Sequence, residues 1–175
     1  MHGLIFHELR SYVNQTASVG TWSTIIDSAG LKGKMYLQVQ IYPDHEFEAL
    51  IEEARKAIGI FREDLLINFG RYIMPKLLRI FGHIILAEWK LMDVLEHTEN
   101  VIHKTIRQYD KNAQPPYLEC KRIGVNEVRI YYNSPRNMLG FGKGLVLGLS
   151  DHYKETVSIT ESTEQNKKVL HIRKS

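Results

Sequence analysis

The sequence predicts an α+β fold, and three features predict it. Apolar residues recur at three- and four-residue spacing through the first two thirds of the chain. The pair Pro115-Pro116 then ends that pattern. Beyond it, short apolar segments separated by polar turns read as antiparallel hairpins. Helices first and strands afterwards argue against a parallel α/β sheet. The expected architecture is an N-terminal helical part, then C-terminal helices packed on a small antiparallel sheet. With 175 residues, of which 43% are hydrophobic and 25% charged, the chain suits a single domain over residues 1–175 with one sizeable core.

Each element has its own signal. Leu4, Ile5, Leu9 and Val13 place an amphipathic helix over about residues 3 to 15. Thr21 to Ser28 reads as a short helix stopped by Gly30. Lys34 to Ile41 alternates and reads as extended. Pro43-Asp44 opens the next helix, with Asp44 expected as its N-cap; Leu50, Ile51, Ala54 and Ala57 continue it to Gly59. Leu65, Leu66, Phe69 and Tyr72 mark another helix, which Pro75 is expected to kink or end. A long helix follows from about Ile84 to Tyr109, carrying Ile85, Trp89, Met92, Leu95, Ile102 and Ile106 at helical spacing. Leu118 to Ile123 and Val128 to Ser134 flank a turn at Gly124 to Glu127 and form the first hairpin. Residues 137 to 150 are apolar and glycine-rich and suit a buried helix. Thr156 to Thr160 and Val169 to Arg173 form a second hairpin across the polar stretch Glu161 to Lys168.

Composition narrows the function classes. Apolar stretches such as Phe81 to Ala87 are too short for a membrane span. The start lacks a basic region and breaks its apolar run at His7 and Glu8, unlike a secretory signal. One cysteine, Cys120, excludes an internal disulfide and points to a reducing, cytoplasmic setting. A net charge of +3 without a basic block does not suggest nucleic acid. Eight histidines bring metal or cofactor ligation into view.

The most specific local feature is Tyr132-Asn133-Ser134-Pro135-Arg136. On a strand, Tyr132, Ser134 and Arg136 would share one face and offer two hydroxyls and a guanidinium to a carboxylate ligand. The same residues also read as a strand end with a solvated arginine and a Ser-Pro turn. His103 shares a helix face with Glu99 and Ile106. It reads either as a structural histidine or as a single axial ligand, since no His-x-x-x-His pattern supports a bare metal. One imidazole suffices where a porphyrin supplies the other four ligands. His97, six residues earlier, falls on a different face. The glycines Gly140, Gly142 and Gly144 imply close packing against a backbone or a large ring. Cys120 reads first as a small buried side chain.

His103, Pro115-Pro116 and Tyr132-x-Ser134-x-Arg136, at these intervals and with the opening Met1-x-Gly3-x-Ile5, resemble the H-NOX family of haem nitric oxide/oxygen binding domains, across essentially the whole chain. The family is related to the haem domain of soluble guanylate cyclase. The resemblance implies one haem b per chain, held by His103 as proximal iron ligand. It implies that Tyr132, Ser134 and Arg136 bind the propionates, that Pro116 presses on the ring proximally, and that Ile5 presses distally. It places Leu9, Ile73, Leu77, Phe141 and Leu145 with Ile5 around the distal pocket, and Gly140, Gly142 and Gly144 near the ring. Some relatives carry a cysteine-rich zinc site near the C-terminus, which residues 137–175 lack.

The implied function is gas sensing without catalysis. In oxygen-binding members a distal tyrosine stands where Phe141 is, so the apolar set here implies nitric oxide and carbon monoxide in preference to oxygen. Tyr72, next to Ile73, should point elsewhere by helical phase. Nitric oxide would weaken the iron–His103 bond and shift the helical part against the rest. A histidine kinase or a cyclic-di-GMP enzyme would receive the signal, although the residues would equally serve inside a longer receptor. Two rivals stand beside this reading: a haem enzyme such as a peroxidase, and a haem-free interaction module of the same fold.

Overall fold

A computed structural model describes residues 1–175. Seven α-helices are present: α1 (Gly3–Thr16), α2 (Thr21–Ser28), α3 (Asp44–Ile58), α4 (Arg62–Phe81), α5 (Leu91–His97), α6 (Lys104–Tyr109) and α7 (Leu139–Tyr153). A π-helical segment, Thr98–His103, joins α5 to α6 without a break. Four strands, β1 (Tyr117–Gly124), β2 (Glu127–Asn133), β3 (Val157–Glu164) and β4 (Lys167–Lys174), form one antiparallel sheet in the order β1-β2-β4-β3. The α+β class is as the sequence predicts. No helix is long and apolar enough to cross a membrane.

The apolar interior is two clusters where the sequence suggested one core. The first joins α1 to α4 through Phe6, Leu9, Val13, Phe47, Leu50, Phe69 and Ile73, all at or near zero exposure. Phe6 and Phe47 meet edge to face at 5.4 Å. The second packs α5 and α7 on the sheet through Leu91, Leu95, Val128, Val146, Leu149 and Ile172. This division produces two lobes, with α4 and α7 along the seam.

That seam depends on missing side chains. A Cβ added at Gly70 would stand 2.3 Å from the Phe141 carbonyl oxygen, and one at Gly144 2.0 Å from that of Ile67. The two backbones therefore touch. Most of the glycine signal in α7 is explained by α4: Gly140 is limited by the Glu63 side chain, and only Gly142 faces open space. Arg71 and Asp151 clamp the outer side of the seam with a bidentate pair at 2.6 and 2.7 Å. Gly144→Ala should accordingly destabilise the fold by about 1–3 kcal/mol through overpacking. Urea unfolding reads this directly; an unchanged midpoint would mean the helices separate freely.

Four local expectations are corrected. Pro75 does not end α4, which continues to Phe81. The carbonyl that Pro75 cannot pair, that of Arg71, lies against Gly148, where the close approach of α7 covers it. Residues 34–41 are not a strand, apart from a lone bridge between Ile41 and His2. Buried Glu46 holds the start of this loop through Lys34 and through Tyr36, whose hydroxyl donates to it at 2.8 Å. Asp44 is the first residue of α3, and Pro43 takes the cap position. The helix expected from Ile84 begins at Leu91, where the Asp93 carboxylate accepts from the Lys90 N–H at 2.9 Å.

The second hairpin has longer strands than expected. Much of the polar stretch Glu161 to Lys168 belongs to β3 and β4. Only Gln165 and Asn166 turn, both with positive φ (49° and 63°), as a two-residue hairpin loop of matching twist requires.

Candidate functional site

A mostly apolar cavity of about 340 Å³ opens between the lobes. The first turn of α1, the second half of α4 and α7 form one wall; the α5–α6 helix, β1 and β2 form the other. On α4, Leu65, Leu66, Phe69 and Ile73 face the helical core, so the adjacent stripe of Met74, Leu77, Leu78 and Phe81 faces the cavity.

His103 lies in the cavity wall. Its Nδ1 is 3.0 Å from Glu99 Oε2 and 3.1 Å from the Pro116 carbonyl oxygen. A carbonyl only accepts, and so does an ionised carboxylate, so Nδ1 carries the hydrogen. The lone pair of the neutral ring then sits on Nε2, which has no hydrogen-bond partner. Burial pushes the Glu99 carboxyl up, but hydrogen bonds from His103, Arg107 and the Leu118 N–H outweigh it and bring its pKa down to about 2.

His2 is the other histidine in the wall, and it is occupied. Its Nδ1 accepts from the Leu4 N–H at 3.3 Å, and its Nε2 stands 3.2 Å from Asp110. His97 stacks on Trp89, 4.5 Å between ring centres, and lies outside the cavity. No group of three or more His, Cys, Asp or Glu side chains converges anywhere, so a bare metal ion lacks a ligand set.

One end of the cavity is polar. Tyr132 and Arg136 line it; Ser134 does not. Strand β2 ends at Asn133, so the three residues do not form the expected row on a strand face. A turn gathers them instead. The Tyr132 hydroxyl donates to the Arg136 carbonyl at 3.0 Å, and the Arg136 N–H donates to Ser134 Oγ at 3.2 Å. Arg136 Nε donates to Asp44 at 2.8 Å and Nη1 to the Gln114 carbonyl at 2.7 Å, leaving Nη2 free. Burial pushes Asp44 up, yet Arg136 and the Met1 ammonium group, 2.6 Å away, hold it below its ordinary value.

Of the expected distal residues, Ile5, Leu77, Phe141 and Leu145 line the cavity, and Pro116 lines it beside His103. Leu9 and Ile73 do not. Both are fully buried in the helical core, one layer behind. Tyr72 faces Tyr12, 5.3 Å away, and stays out of the cavity. Leu4, Met74, Leu78 and Phe81 also line it; the helical period of α1 and α4 was the signal for them. Cys120 packs against the sheet cluster, where burial pushes its thiol up to about 11 and leaves little reactive thiolate near neutral pH.

The chamber suits an apolar group that takes one nitrogen ligand from His103 and carries anionic groups towards Arg136. The family model described as Haem-NO-binding matches residues 2–161. No curated protein matches by sequence. An H-NOX protein from S. oneidensis in the Fe(II)NO ligation state superposes with a TM-score of 0.91 at 18% identity, over 100% of this chain and 99% of that chain. The Fe(II) unliganded H-NOX protein from K. algicida does so with 0.89 at 21%, over 100% and 97%. The I5F mutant of the T. tengcongensis H-NOX gives 0.83 at 18%, over 100% and 97%. At these identities the structures establish the H-NOX fold, and the family model, spanning nearly the whole sequence, establishes that this chain belongs to the Haem-NO-binding family.

Proposed function

We propose that residues 1–175 form a single sensor domain that holds one haem b and binds nitric oxide and carbon monoxide, not oxygen. One observation carries the reading. His103 turns a lone-pair nitrogen to a cavity in which Ile5, Leu77, Phe141 and Leu145 carry no hydrogen-bond donor and His2 is engaged by the Leu4 N–H and Asp110. When bound, the haem would supply the iron, held by His103, at which nitric oxide would bind, and a weaker hold by His103 would be the signal.

The chain's own residues do the rest. His103 is the proximal ligand, with Pro116 packing beside it. The free Nη2 of Arg136 takes a propionate, and Tyr132 joins it by turning its single hydroxyl hydrogen from the Arg136 carbonyl to the carboxylate; Ser134 acts one step back by fixing the Arg136 backbone. Ile5 packs from the distal side, and the apolar wall excludes water. Ile5, Leu77, Phe141 and Leu145 offer no acid or base, and His2, the one histidine near them, is engaged by the Leu4 N–H and Asp110, which argues for a sensor over a peroxidase. His103 rides on the helix that packs on the sheet, whereas Ile5 belongs to the helical lobe. A change at His103 therefore reaches one lobe and not the other, and the α4–α7 seam is where they would shift. The effector is proposed to be a separate cytoplasmic histidine kinase or cyclic-di-GMP enzyme, by analogy with the family alone.

The electronic absorption spectrum tests the reading, taken on the ferrous protein and then under carbon monoxide, nitric oxide and air. Ferrous haem with carbon monoxide and nitric oxide complexes is expected. A colourless protein despite adequate haem supply would favour the interaction module, and peroxide turnover well above free haem would favour the enzyme.

Arg136→Ala should loosen haem more than Ser134→Ala. A charge-assisted hydrogen bond is worth about 1.5–3 kcal/mol against roughly 1 for a neutral one. Ser134 also stays out of the cavity. Transfer rates to an apo-acceptor rank the two, and the reverse order would turn Arg136 away from the propionates.

A further inference from the structure

Glu99 stands on the turn before His103 and is fixed at both oxygens. Oε2 accepts from His103 Nδ1 and from the Leu118 N–H, each at 3.0 Å; Oε1 accepts from Arg107 Nη1 at 2.9 Å. The second arm of Arg107 donates to the Pro116 carbonyl at 3.1 Å, so one guanidinium braces both acceptors of the imidazole. Arg107 is itself seated over the Tyr117 ring at 4.3 Å. The side chains of Glu99 and His103 are each only 15% exposed, so water competes weakly for these bonds. The π-helical turn from Thr98 to His103 contains both partners. Such turns occur often at functional sites.

We propose that Glu99 is the positioning residue of the proximal histidine. With the Pro116 carbonyl it fixes the Nδ1–H tautomer and aims Nε2 into the cavity, and its charge makes His103 a stronger electron donor than a carbonyl-bonded imidazole would be. A carboxylate accepting from Nδ1–H draws that proton outward and raises the electron density at Nε2. Arg107 pulls on the same carboxylate from its other oxygen and moderates the effect. The pair thus sets how firmly His103 stays bound when a gas binds on the opposite face. This inference rests on the haem reading above.

The test needs one readout without haem and one with it. In the haem-free protein, ¹⁵N shifts of His103 should report the Nδ1–H tautomer. Glu99→Leu leaves the Pro116 carbonyl as the one acceptor, so the Nδ1 shift should move towards that of a weaker, neutral hydrogen bond. In the ferrous haem protein, resonance Raman reads the iron–histidine stretch. Glu99→Gln keeps an acceptor but removes the charge, and should lower the frequency and raise the five-coordinate share of the nitric oxide complex. Arg107→Gln leaves the carboxylate less shared and should raise the frequency. Glu99→Leu should also speed haem loss by about 10- to 100-fold, the usual cost of losing an outer-shell partner.

A Glu99 that merely ties the helix to β1 would lower stability and leave both spectra unmoved. If the folded Glu99→Gln and Arg107→Gln proteins keep the wild-type stretch, the proposal falls. A wild type that takes up no haem would sink the functional reading instead, and the ¹⁵N spectra would still decide the positioning of His103.

Discussion

His103→Ala should abolish stable haem incorporation, and imidazole added to the medium should restore part of it. The loss should exceed the roughly 10- to 100-fold that removal of an outer-shell partner costs, because the ligand itself goes. No other side chain can take over. His2 spends one nitrogen on the Leu4 N–H and faces Asp110 with the other, and His97 is stacked on Trp89 outside the chamber. Rescue follows from what the mutation leaves behind. Glu99 stays pinned by Arg107 and the Leu118 N–H, and the Pro116 carbonyl by Arg107. A free imidazole entering the vacated space therefore meets the same acceptors for its N–H. Haem absorbance per protein, with and without imidazole, measures both halves. Normal loading with an unchanged ferrous spectrum would move the ligand elsewhere.

Patterns that depend on neighbours in sequence were readable, and those that depend on neighbours in space were not. Gly30 and Gly59 stop their helices where the sequence places the stops, with φ of 71° and 79°. Alternation misled at Met35, Leu37, Val39 and Ile41, because these side chains are all exposed and the segment has no partner strand. Its course is set by Glu46 and by Tyr36 stacking on Phe6 at 4.2 Å, contacts between residues far apart in the chain. Pro75 misled as a helix end for the same reason, since α7 covers the carbonyl it orphans.

The site divides along the same line. His103 and Glu99 share a face at a spacing of four, and the structure closes that spacing into a hydrogen bond. Periodicity gives no view of Pro116 as the second acceptor, because its carbonyl arrives from the strand side. Nor does it reveal the π-helical turn. There, the Thr98 hydroxyl and His97 Nδ1 both engage carbonyls four residues back, at 2.8 Å each. Such back-bonding competes with the regular helix ladder. The family resemblance places Ile73 and Leu77 around one pocket. One turn of drift is enough to put Ile73 in the core and Leu77 in the cavity.

Ferrous protein should bind nitric oxide and carbon monoxide and form no stable oxygen complex. Bound oxygen builds negative charge on its outer atom and depends on a hydrogen-bond donor beside it; nitric oxide binds ferrous haem strongly without one. The wall opposite His103 consists of Ile5, Leu77, Phe141 and Leu145, with Met74 and Leu78 alongside, and none donates. The Thr98 hydroxyl donates to the Val94 carbonyl at 2.8 Å and the Met1 ammonium to the Tyr42 carbonyl and Asp44, while Tyr72 lies outside the cavity beside Tyr12. Because His2 Nδ1 accepts from Leu4, its hydrogen sits on Nε2, facing Asp110. Phe141 is the one wall residue whose conversion adds a donor with almost no change of shape. Its ring packs 5.3 Å from that of Phe69, which fixes the plane in which a new hydroxyl would lie. Phe141→Tyr should therefore produce a detectable oxygen complex, with a gain of about 1.5–3 kcal/mol, or roughly ten- to a hundred-fold in affinity. Air titration of the ferrous proteins, followed by absorption, compares the two. An oxy spectrum that persists for minutes in the wild type would overturn the gas assignment and require His2 to leave Asp110 for the distal side.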